Sequence, residues 1–597
     1  MAQWMVKSKK ADFKQIGERL GIDQVTARLL VNRGLTDEES MRSFLSGGIQ
    51  DLCDPHLFKD GDKLVDILAE KIAHNEKIRV IGDYDIDGVM SSFILFRGLS
   101  KCGAKVSVAI PNRITDGYGL NIHLIEEALK DGVDTILTCD NGIAAINEIA
   151  YAKRHGMTVL VTDHHEIPYD ERDGKRHYLA SEADAIVNPH QEECGYPYKN
   201  LCGAAVAWKM IVLLYGKIHV PEESALDFLE NVAFATVGDI MPLTGENRIL
   251  VKEGLARIRH TKSVGMRALI AQCGLVPEQI DCYHFGFVLG PCINAAGRLD
   301  TARRALELFM TDDEQAAAEI VGELVTLNSE RKELTRLGVE EAKALVDEGE
   351  CKNDPVLVLF LPEVHESIAG IIAGRIREHY YRPTFILTRA GSEETGDACD
   401  APKMVKGSGR SIDGYSMYEE LCLCKDLLHK FGGHPMAAGV TLQEESVGEL
   451  RRRLNEQCTL TEEQLEEKIH IDVPMPTDYV TCDLVREFEL LAPFGRENPK
   501  PLFADRNLSV SRMWLLGKNQ NVLRLSLVSE HGTPAAGIYF GDIPVFMDYM
   551  RKQFGSEAVE LALCGRENGI RLSVVYSPQI NFYGGSESLQ LEIKYYR

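Results

Sequence analysis

Three apolar stretches of the chain end in acidic residues, and two histidines follow the third. KIRVIG runs into DYDIDG (83–88), VDTILTC into Asp140, and MTVLVT into Asp163, His164 and His165. Helical stretches of about a dozen residues separate these segments, which predicts parallel strands of one covered sheet. Because ligands bind outside the carboxyl ends of such strands, we expect these polar side chains to lie within reach of one another.

Carboxylates that meet in a partly buried cleft repel one another, so they must take up protons or recruit cations. His164 and His165 favour the second outcome, because oxygen ligands joined by imidazole form a good divalent-metal site. An oxygen-rich set without thiolate favours Mn²⁺ or Mg²⁺ over zinc. Such a set balances two divalent ions, and paired ions activate water and clamp a phosphoryl oxygen.

Each motif also has an ordinary interpretation. A single Asp after a strand is usually a helix N-cap, and a pair of histidines is more often part of the core or the surface. Gly88, followed by VMSS, is also typical of a loop that leads into a helix. We favour the metal site because D-x-D-x-D-G, D-N-G and D-H-H follow successive strands of one α/β unit.

The composition is that of a large globular protein with an acidic balance. The 597 residues carry 66 Lys and Arg against 90 Asp and Glu, a formal net charge of −24. This balance argues against tight non-specific DNA binding, although basic residues near 298–304 and 403–411 allow a local basic groove. We expect no membrane segment and no secretory signal. The 15 cysteines include no C-x-x-C pair, which indicates reduced thiols in a cytoplasmic protein.

The chain divides into α/β units linked by helices. Small helices are expected before residue 60. Residues 312–350 carry apolar side chains at helical spacing without Pro, which predicts a long helix. A second α/β unit begins at PVLVLFLP (355–362), and short strands broken by Gly, Asn and Pro after 468 predict a small barrel of the OB type.

The motifs GDYDIDGVMSS, TCDNGI and VTDHHE, followed by ATVGDIMPL, resemble the four motifs of the DHH phosphoesterase superfamily. The resemblance implies five metal ligands, namely Asp85, Asp87, Asp140, His164 and Asp239. It implies that Asp83 and Asp163 orient these ligands, and that His165 contacts the scissile phosphate.

Two segments of the second α/β unit, KGSGRSIDGYS (406–416) and KFGGHPMAAG (430–439), resemble the DHH-associated domain. In this superfamily the Gly-Gly-His segment faces the metal site. Gly432 and Gly433 would let the backbone approach a substrate closely, and His434 would donate to a phosphate. Taken alone, a Gly-Gly-His segment is more typical of a tight turn.

The whole chain resembles the RecJ family of single-strand-specific exonucleases, which implies removal of nucleotides from a 5′ end. Three segments outside the motifs above carry this resemblance: IPNRITDGYGLN (110–121), LGPCINAAGRLDTA (289–302) and LNSERKELT (327–335). It implies four residues that bind nucleotide or terminal phosphate, namely Arg113, Arg298, Ser408 and Arg410. Arginine suits this task because its planar fork pairs with phosphate oxygens. A structural role on the surface is the alternative for Arg298, since Arg303 and Arg304 lie near it.

We therefore predict an α/β fold with a parallel-sheet DHH domain and a smaller α/β DHH-associated domain, joined by a long helix and followed by an OB-like β-barrel. The expected segments are 1–60 (N-terminal helices), 61–310 (DHH domain), 311–350 (connecting helix), 351–460 (DHH-associated domain) and 461–597 (barrel). The barrel would hold single-stranded DNA by stacking and a positive groove, although its aromatic residues would serve equally as core. Only the resemblance implies a single-strand-binding protein or a helicase as partner.

The sequence departs from the family pattern in two places. Val364 stands before His365 where Trp is common, which puts a stacking role there in doubt. The acidic stretch 391–403 is longer than usual, and we expect it to point away from the DNA because it would repel phosphates.

The sequence thus predicts a two-metal exonuclease that shortens single-stranded DNA from the 5′ end, in DNA repair and recombination. A DHH phosphodiesterase of short oligoribonucleotides or cyclic dinucleotides is the nearest alternative, and the N-terminal helices and barrel argue against it. The second alternative is a non-catalytic scaffold that binds single strands, and the five intact ligand positions argue against it. Serine hydrolases, P-loop NTPases and zincins are excluded because their motifs are missing.

Overall fold

The computed structural model describes residues 3–113, 116–117, 119–172, 175–299, 301–390, 403–583 and 585–597. The chain forms two compact units, one of residues 53–239 and 254–467, the other of 3–52, 240–253 and 468–597. The five segments expected from the sequence stay a prediction. The acidic stretch 391–403 lies outside the described residues except for Lys403.

The N-terminal segment combines one short strand with three helices. These are β1 (Gln3–Val6), α1 (Phe13–Leu20), α2 (Gln24–Asn32) and α3 (Glu38–Ser46). Each helix begins after an aspartate, Asp12, Asp23 or Asp37, whose carboxylate accepts a hydrogen bond from a backbone N–H of the first turn. These caps satisfy N–H groups that the helices themselves leave unpaired.

The first unit contains the parallel sheet that the sequence predicted. Its elements are α4 (Gly61–Ala73), β2 (Lys77–Ile81), α5 (Ile86–Lys101), β3 (Lys105–Ala109), α6 (Ile122–Lys130), β4 (Thr135–Cys139), α7 (Ile146–Arg154), β5 (Thr158–Thr162), the hairpin strands β6 (Tyr169–Arg172) and β7 (Lys175–Tyr178), and β8 (Ala185–Val187). The strand order is β3-β2-β4-β5-β8, all parallel. The chain reverses direction across the sheet at β2, so a crevice is expected between the carboxyl ends of β2 and β4.

A series of helices follows this sheet along the chain and leads to the long connecting helix. It consists of α8 (Gly203–Lys217), α9 (Leu229–Gly238), α10 (Gly245–Ile258), α11 (Val264–Gln272), α12 (Gly290–Leu299), α13 (Arg303–Met310) and α14 (Glu314–Asp347). A π-helical segment, His284–Leu289, runs directly into α12. Helix α14 has 34 residues and begins after the N-cap Asp313, which confirms the predicted long helix.

The second sheet is mixed and also belongs to the first unit. It is built from β9 (Leu357–Phe360), α15 (Glu366–Tyr380), β10 (Thr384–Arg389), β11 (Met404–Arg410), α16 (Met417–Cys422), β12 (Leu428–His434), β13 (Ala437–Gln443) and α17 (Val447–Glu456). The strand order is β12-β13-β11-β10-β9. Gly432, Gly433 and His434 lie in β12 and pair with β13, so this Gly-Gly-His segment is part of a strand.

The second unit contains a closed five-stranded barrel, as predicted. Its elements are β14 (Lys468–Ile471), β15 (Val473–Pro474), α18 (Cys482–Phe488), β16 (Phe503–Leu516), β17 (Val522–Val528), β18 (Pro534–Tyr539), α19 (Ile543–Phe554), α20 (Ser556–Leu563), β19 (Arg571–Tyr583) and β20 (Ser586–Tyr596). Pairing runs β16-β17-β18-β20-β19 and returns to β16. Tyr539 is buried, whereas Phe540 and Phe582 are exposed. Helices α19 and α20 were not expected in this strand-rich part.

No helix within the described ranges combines the length and the apolar character that a bilayer crossing needs.

We expect Gly88→Ala to destabilise the first unit. A Cβ at Gly88 in α5 would lie 2.4 Å from the carbonyl oxygen of Asp83, and such overpacking costs about 1–3 kcal/mol. Gly374→Ala in α15 is the matched control, because its Cβ would meet nothing within 4 Å. Thermal unfolding should show a lower midpoint for the first variant and an equal or higher one for the second. Equal midpoints for the two variants would contradict this close approach.

Candidate metal centre and substrate cleft

The loop after β2 places Asp83, Asp85 and Asp87 at the start of α5. Asp85 is the N-cap, and its Oδ1 accepts the backbone N–H of Asp87 at 2.9 Å and of Gly88 at 3.1 Å. The ordinary interpretation of this aspartate as a helix cap is therefore correct. The same carboxylate also lies within 4.8 Å of ligand atoms of Asp83 and Asp140, so capping and metal binding do not exclude each other.

The loop after β4 holds Asp140 in an uncommon backbone conformation. Its φ is 59°, in the left-handed region that non-glycine residues rarely adopt, and Gly142 follows with φ 110°. The Asn141 side chain donates to the carbonyl oxygens of Ile81 at 3.1 Å and Cys139 at 2.9 Å. These bonds tie the ends of β2 and β4 together, so the surrounding structure imposes the strain at Asp140.

The loop after β5 uses Asp163 to orient the two histidines. The Asp163 carboxylate accepts the backbone N–H of Ile143, His164 and His165, and its Oδ1 lies 2.8 Å from His165 Nδ1. With its oxygens engaged by the chain itself, Asp163 is suited to hold His165 in place. The carbonyl oxygen of His165 accepts from Asn188 after β8.

Two covering helices complete the site. Both oxygens of Asp87 accept backbone N–H groups from the first turn of α8, Gly203 at 2.6 Å and Ala204 at 2.7 Å. Asp239 caps the C-terminus of α9. The α8 contribution was missed because the segment CGAAVAW reads as apolar core and carries no polar signal.

The predicted ligands come together in three overlapping groups, each with ligand atoms within 4.8 Å of one another. The groups are Asp83, Asp85 and Asp140; Asp87, His164 and Asp239; and Asp140, His164 and His165. His164 Nε2 lies 3.0 Å from Asp140 Oδ1, 3.5 Å from Asp87 Oδ2 and 3.9 Å from Asp239 Oδ2. All five proposed ligands and the three neighbouring polar residues therefore share one edge of the sheet.

Burial and like charge shape the protonation of this cluster. Burial, with the charge of Asp85, raises the pKa of Asp83 to about 8, and burial, with the charge of Asp87, raises the pKa values of Asp85 and Asp140. Burial also lowers the pKa of His164. Burial alone would lower the pKa of His165, but the hydrogen bond with Asp163 raises it to about 9.

A cleft of about 1360 Å³ lies in the first unit between its two α/β parts. Five of the predicted substrate-binding residues line it: Arg113, Arg298, Ser408, Arg410 and Gly432. Gly433 and His434 follow at the end of β12 and do not belong to its lining. Lys406 and Lys430 also line the cleft. Lys406 belongs to the basic stretch 403–411 that the sequence analysis associated with a groove, whereas Lys430, at the start of KFGGH, was not considered.

The arginines of the cleft are held by uncharged groups. Arg298 donates to the carbonyl oxygen of Ser367 at 2.7 Å, and Arg410 donates to Gly409 O and to Ser408 Oγ. Arg113 lies over the Tyr84 ring, 5.0 Å from its centroid. Burial, with the charge of Arg113, lowers the pKa of Arg298 to about 10.

These contacts leave the arginines without a carboxylate partner within 4.0 Å among the described residues. Arg303 and Arg304, by contrast, are paired with Glu307 on the surface. Arg298 is therefore distinct from its two neighbours. A group of unpaired guanidinium ions is a site for an anion.

Asn294 of α12 is a further site residue that sequence reasoning missed. Its Oδ1 accepts the backbone N–H of Ile86, between Asp85 and Asp87, at 2.9 Å. It therefore fixes the acidic loop against α12. His365 is the N-cap of α15, with Nδ1 2.7 Å from Ser367 Oγ, so this histidine orders the helix start whatever residue precedes it.

Three family models match successive parts of the chain. They are the DHH family, N-terminal domain, over residues 77–236, the DHHA1 domain over 353–460, and the RecJ OB domain over 471–595.

Relatives match over nearly the whole length. The chain is 32% identical to the single-stranded-DNA-specific exonuclease RecJ of Salmonella typhimurium, over 89% of each protein. It is 30% identical to the protein of the same name from Escherichia coli, over 95% of this chain and 94% of the relative. For the one from Bacillus subtilis the identity is 34%, over 99% of this chain and 70% of the relative.

Solved structures agree with these relatives. The crystal structure of RecJ in complex with Mn²⁺ from Thermus thermophilus matches with a TM-score of 0.79 and 26% identity, covering 100% of this chain and 79% of that one. A structure of exonuclease RecJ bound to manganese matches with a TM-score of 0.56 and 32% identity, covering 68% of this chain and 96% of that one. The chain therefore belongs to the RecJ family of single-stranded-DNA-specific exonucleases.

Proposed function

We propose that this protein is a metal-dependent exonuclease that hydrolyses single-stranded DNA from its 5′ end. The observation that carries the proposal is the meeting of five carboxylates and two imidazoles at one sheet edge. The cleft with its unpaired arginines supports a substrate that carries phosphates. The RecJ relatives are named for action on single-stranded DNA, and we extend that substrate to this chain.

The residues at the sheet edge fit divalent metal ions. Asp83 Oδ1 is buried and has no hydrogen-bond partner among the described residues, so it is an acceptor that waits for a cation. We assign Asp85, Asp87, Asp140 and Asp239 as oxygen ligands and His164 as the nitrogen ligand, with Asp83 as a further acceptor beside Asp85 and Asp140. This donor set, without thiolate, suits Mn²⁺ or Mg²⁺. Two such ions, when bound, neutralise charge on the phosphoryl oxygens and lower the pKa of water, which allows hydrolysis at neutral pH.

The protein's own groups bind and orient the strand. Arg113, Arg298 and Arg410 hold the terminal phosphate in the cleft, with the Ser408 hydroxyl as a further donor. His165, fixed by Asp163, donates to the phosphoryl oxygen at the cleaved bond. Preorganised donors of this kind stabilise the developing charge without having to reorient during the reaction. Holding the phosphate at one distance from the metal centre sets which bond is cut.

Long single strands suit this protein better than short ones. A phosphodiesterase of short oligoribonucleotides or cyclic dinucleotides needs only the two α/β parts, whereas this chain also has a closed barrel. OB-type barrels commonly bind single strands. A non-catalytic scaffold is disfavoured because no proposed ligand is replaced. We also propose a cytoplasmic location and, from family resemblance, a single-strand-binding protein or a helicase as partner.

We expect Asp140→Asn to abolish nuclease activity while the fold is kept. Asparagine retains the shape but removes the charge that joins two of the three ligand groups. The control is Asp131→Asn, an exposed aspartate at the C-terminus of α6, before β4 begins, which is paired with Arg79. Release of nucleotides from a single strand in Mn²⁺ should fall about a hundredfold to a thousandfold in the first variant, by analogy with the loss of an essential electrostatic group, and stay unchanged in the second. Full activity of Asp140→Asn, or activity of the unmodified protein in excess chelator, would refute the metal site.

Metal binding should release protons at neutral pH. The pKa of Asp83, about 8, and the raised pKa values of Asp85 and Asp140 mean that the metal-free cluster holds protons that the ions displace. Calorimetric titration with Mn²⁺ at pH 7, in two buffers of different ionisation enthalpy, should detect this release, and the affinity should rise from pH 6 to pH 8.

The same shifts predict the sign of the pH dependence of stability. Between about pH 4 and pH 8 the metal-free folded state binds more protons at these carboxylates than the unfolded chain does, so their contribution to stability falls as pH rises. The stability of the metal-free first unit should therefore be greater near pH 5 than near pH 8 once Mn²⁺ has been removed. Buffer-independent binding enthalpies would contradict both expectations.

Arg410→Gln should discriminate between strand ends. Loss of the guanidinium should lower kcat/KM for a 5′-phosphorylated strand about tenfold or more, because a charge-assisted bond to a phosphomonoester is lost. For a strand that ends in a 5′-hydroxyl the loss should be smaller. Labelling the 5′ and the 3′ end in turn reports polarity in the same assay, and early release of the 3′ label would overturn the 5′ assignment. Arg303→Gln on the surface is the control.

A further inference from the structure

The substrate cleft extends beyond its arginines along an open face of the second sheet. Four alternate residues of β11 line it, namely Arg410, Ser408, Lys406 and Met404. Because alternate side chains of a strand project to one face, these four share the same face. Ile386, the partner of Ser408 in β10, belongs to the apolar cluster that includes residues of α15. Helix α15 therefore covers this face over β10, while the part over β11 is open to the cleft.

Strand pairing across β11, β13 and β12 places two rows of residues on this face. The first row consists of Ser408, Gly439 and Gly432. The next row along the same strands, which we call the lysine row, consists of Lys406, Thr441 and Lys430. All of these residues line the cleft. Successive rows on one face lie about 6.8 Å apart along the strands, a spacing comparable with that of consecutive phosphates in an extended single strand.

Two glycines keep the floor of the cleft bare beside Ser408. A Cβ placed on Gly432 would meet nothing within 4 Å beyond its chain neighbours, and one placed on Gly439 would lie 4.0 Å from the carbonyl oxygen of Gly407. Glycine at such positions lets a ligand approach the backbone closely. The surface between Ser408 and the lysine row is therefore open to a nucleotide.

The charges of the cleft favour an anion at the lysine row. Two carboxylates line the cleft, those of Glu366 and Asp426. Glu366 lies 3.3 Å from the ammonium of Lys406, and Asp426 accepts from Arg453 at 2.8 Å and 2.9 Å. Lys430 is exposed and has no carboxylate within 4.0 Å among the described residues. Lys430 therefore offers an unopposed charge, and Lys406 offers one that Glu366 partly neutralises.

The proposed function determines which phosphate can reach these lysines. Arg113, Arg298 and Arg410 hold the terminal phosphate, and the phosphodiester to be cleaved lies at the metal centre. The terminal phosphate has one neighbouring phosphate in the strand, and that neighbour is then the cleaved one. A phosphate at the lysine row, one row from Ser408, therefore requires that the strand has entered the cleft one nucleotide further.

We propose that the lysine row is a second binding site for the terminal phosphate, so that a strand binds in two registers. This inference rests on the proposed function. With its end at the arginines, the strand loses a mononucleotide. With its end at the lysine row, the next phosphodiester lies at the arginines and the one after it at the metal centre, so the strand loses a dinucleotide. The distance at which the end is held sets which bond is cut.

The hydrolysis is the same in both registers. Water adds to the phosphorus and the bond from phosphorus to the 3′ oxygen breaks. The released fragment therefore ends in a 3′-hydroxyl, and the remaining strand keeps a 5′-phosphate. Because this new end carries the group that both sites bind, either register can follow either cut.

The size of the first fragment tests the lysine row. A single strand in excess, labelled at its 5′-phosphate, is cut in Mn²⁺, and the labelled fragments are separated early in the reaction. The unmodified protein should release a labelled dinucleotide beside the labelled mononucleotide. Lys430→Gln should lower the ratio of dinucleotide to mononucleotide about tenfold, the loss of one charge-assisted contact, and Lys430→Arg should keep it. Lys406→Gln should lower the ratio less, because Glu366 already opposes that charge.

Lys425→Gln is the matched control for these variants. This lysine is also exposed, but it does not belong to the lining of the cleft. Its ratio of fragments should equal that of the unmodified protein.

A strand whose first linkage resists hydrolysis isolates the deeper register. Replacing the bridging 3′ oxygen of that linkage by a methylene group keeps its charge and removes the bond that is broken. The unmodified protein should release the first two nucleotides of this strand as one unit. Lys430→Gln should lower kcat/KM for this strand about tenfold, whereas kcat/KM for mononucleotide release from an ordinary strand should be unchanged.

The two proposals fail in different ways. If the ordinary strand is degraded but the blocked strand is not, or if Lys430→Gln gives the same ratio of fragments as the unmodified protein, the second register is wrong and the nuclease assignment stands. An equal loss of kcat/KM on both strands would also overturn the second register. If the unmodified protein cuts neither strand in Mn²⁺ or Mg²⁺, the proposed function itself is wrong.

Discussion

Repulsion between buried carboxylates at the carboxyl end of the parallel sheet is the constraint on which the site depends. Asp83, Asp85 and Asp140 meet where the strand order reverses, within 4.8 Å of one another. Hydrogen bonds from the start of α8 to Asp87 satisfy only part of its acceptor capacity. Burial, together with the charge of neighbouring aspartates, raises the pKa values of Asp83, Asp85 and Asp140. Such an arrangement is tolerable when divalent cations lie among the carboxylates.

The substrate cleft in the same unit carries arginines whose positive charge no carboxylate of the described residues neutralises, in contrast to the negative charge at the sheet edge. A chain with a formal net charge of −24 pairs several surface arginines with acids, as Arg304 is paired with Glu307 and Glu323. Arg298 and Arg410 instead contact carbonyl and hydroxyl oxygens, which leaves their charge for an anion. A negative surface around a locally positive cleft disfavours DNA elsewhere and favours it beside the metal centre. The acidic composition is therefore compatible with a nuclease.

Much of the fold and of the metal centre could be predicted from the sequence, because both depend on short-range order along the chain. Apolar strands that end in DYDIDG, at Asp140 and at Asp163 define a parallel sheet, and parallel strands bring their carboxyl ends to one edge. The 34-residue α14 is apparent from helical spacing without Pro. The ordinary N-cap interpretation of Asp85 proved correct without excluding a place in the cluster, because one carboxylate can accept from N–H groups and still offer lone pairs to a cation.

Sequence alone determined the fold class, the barrel and the identity of the ionisable residues at the sheet edge, since each follows from local pattern and strand direction. Only the tertiary structure decided what contacts them. Gly203 and Asn294 lie more than a hundred residues from Asp87 and Ile86, and their hydrogen bonds have no local signature. The position of Lys406, Thr441 and Lys430 in one row likewise depends on the register of three strands. Which side chains are buried, and which groups they contact, depends on packing between segments that are remote along the chain.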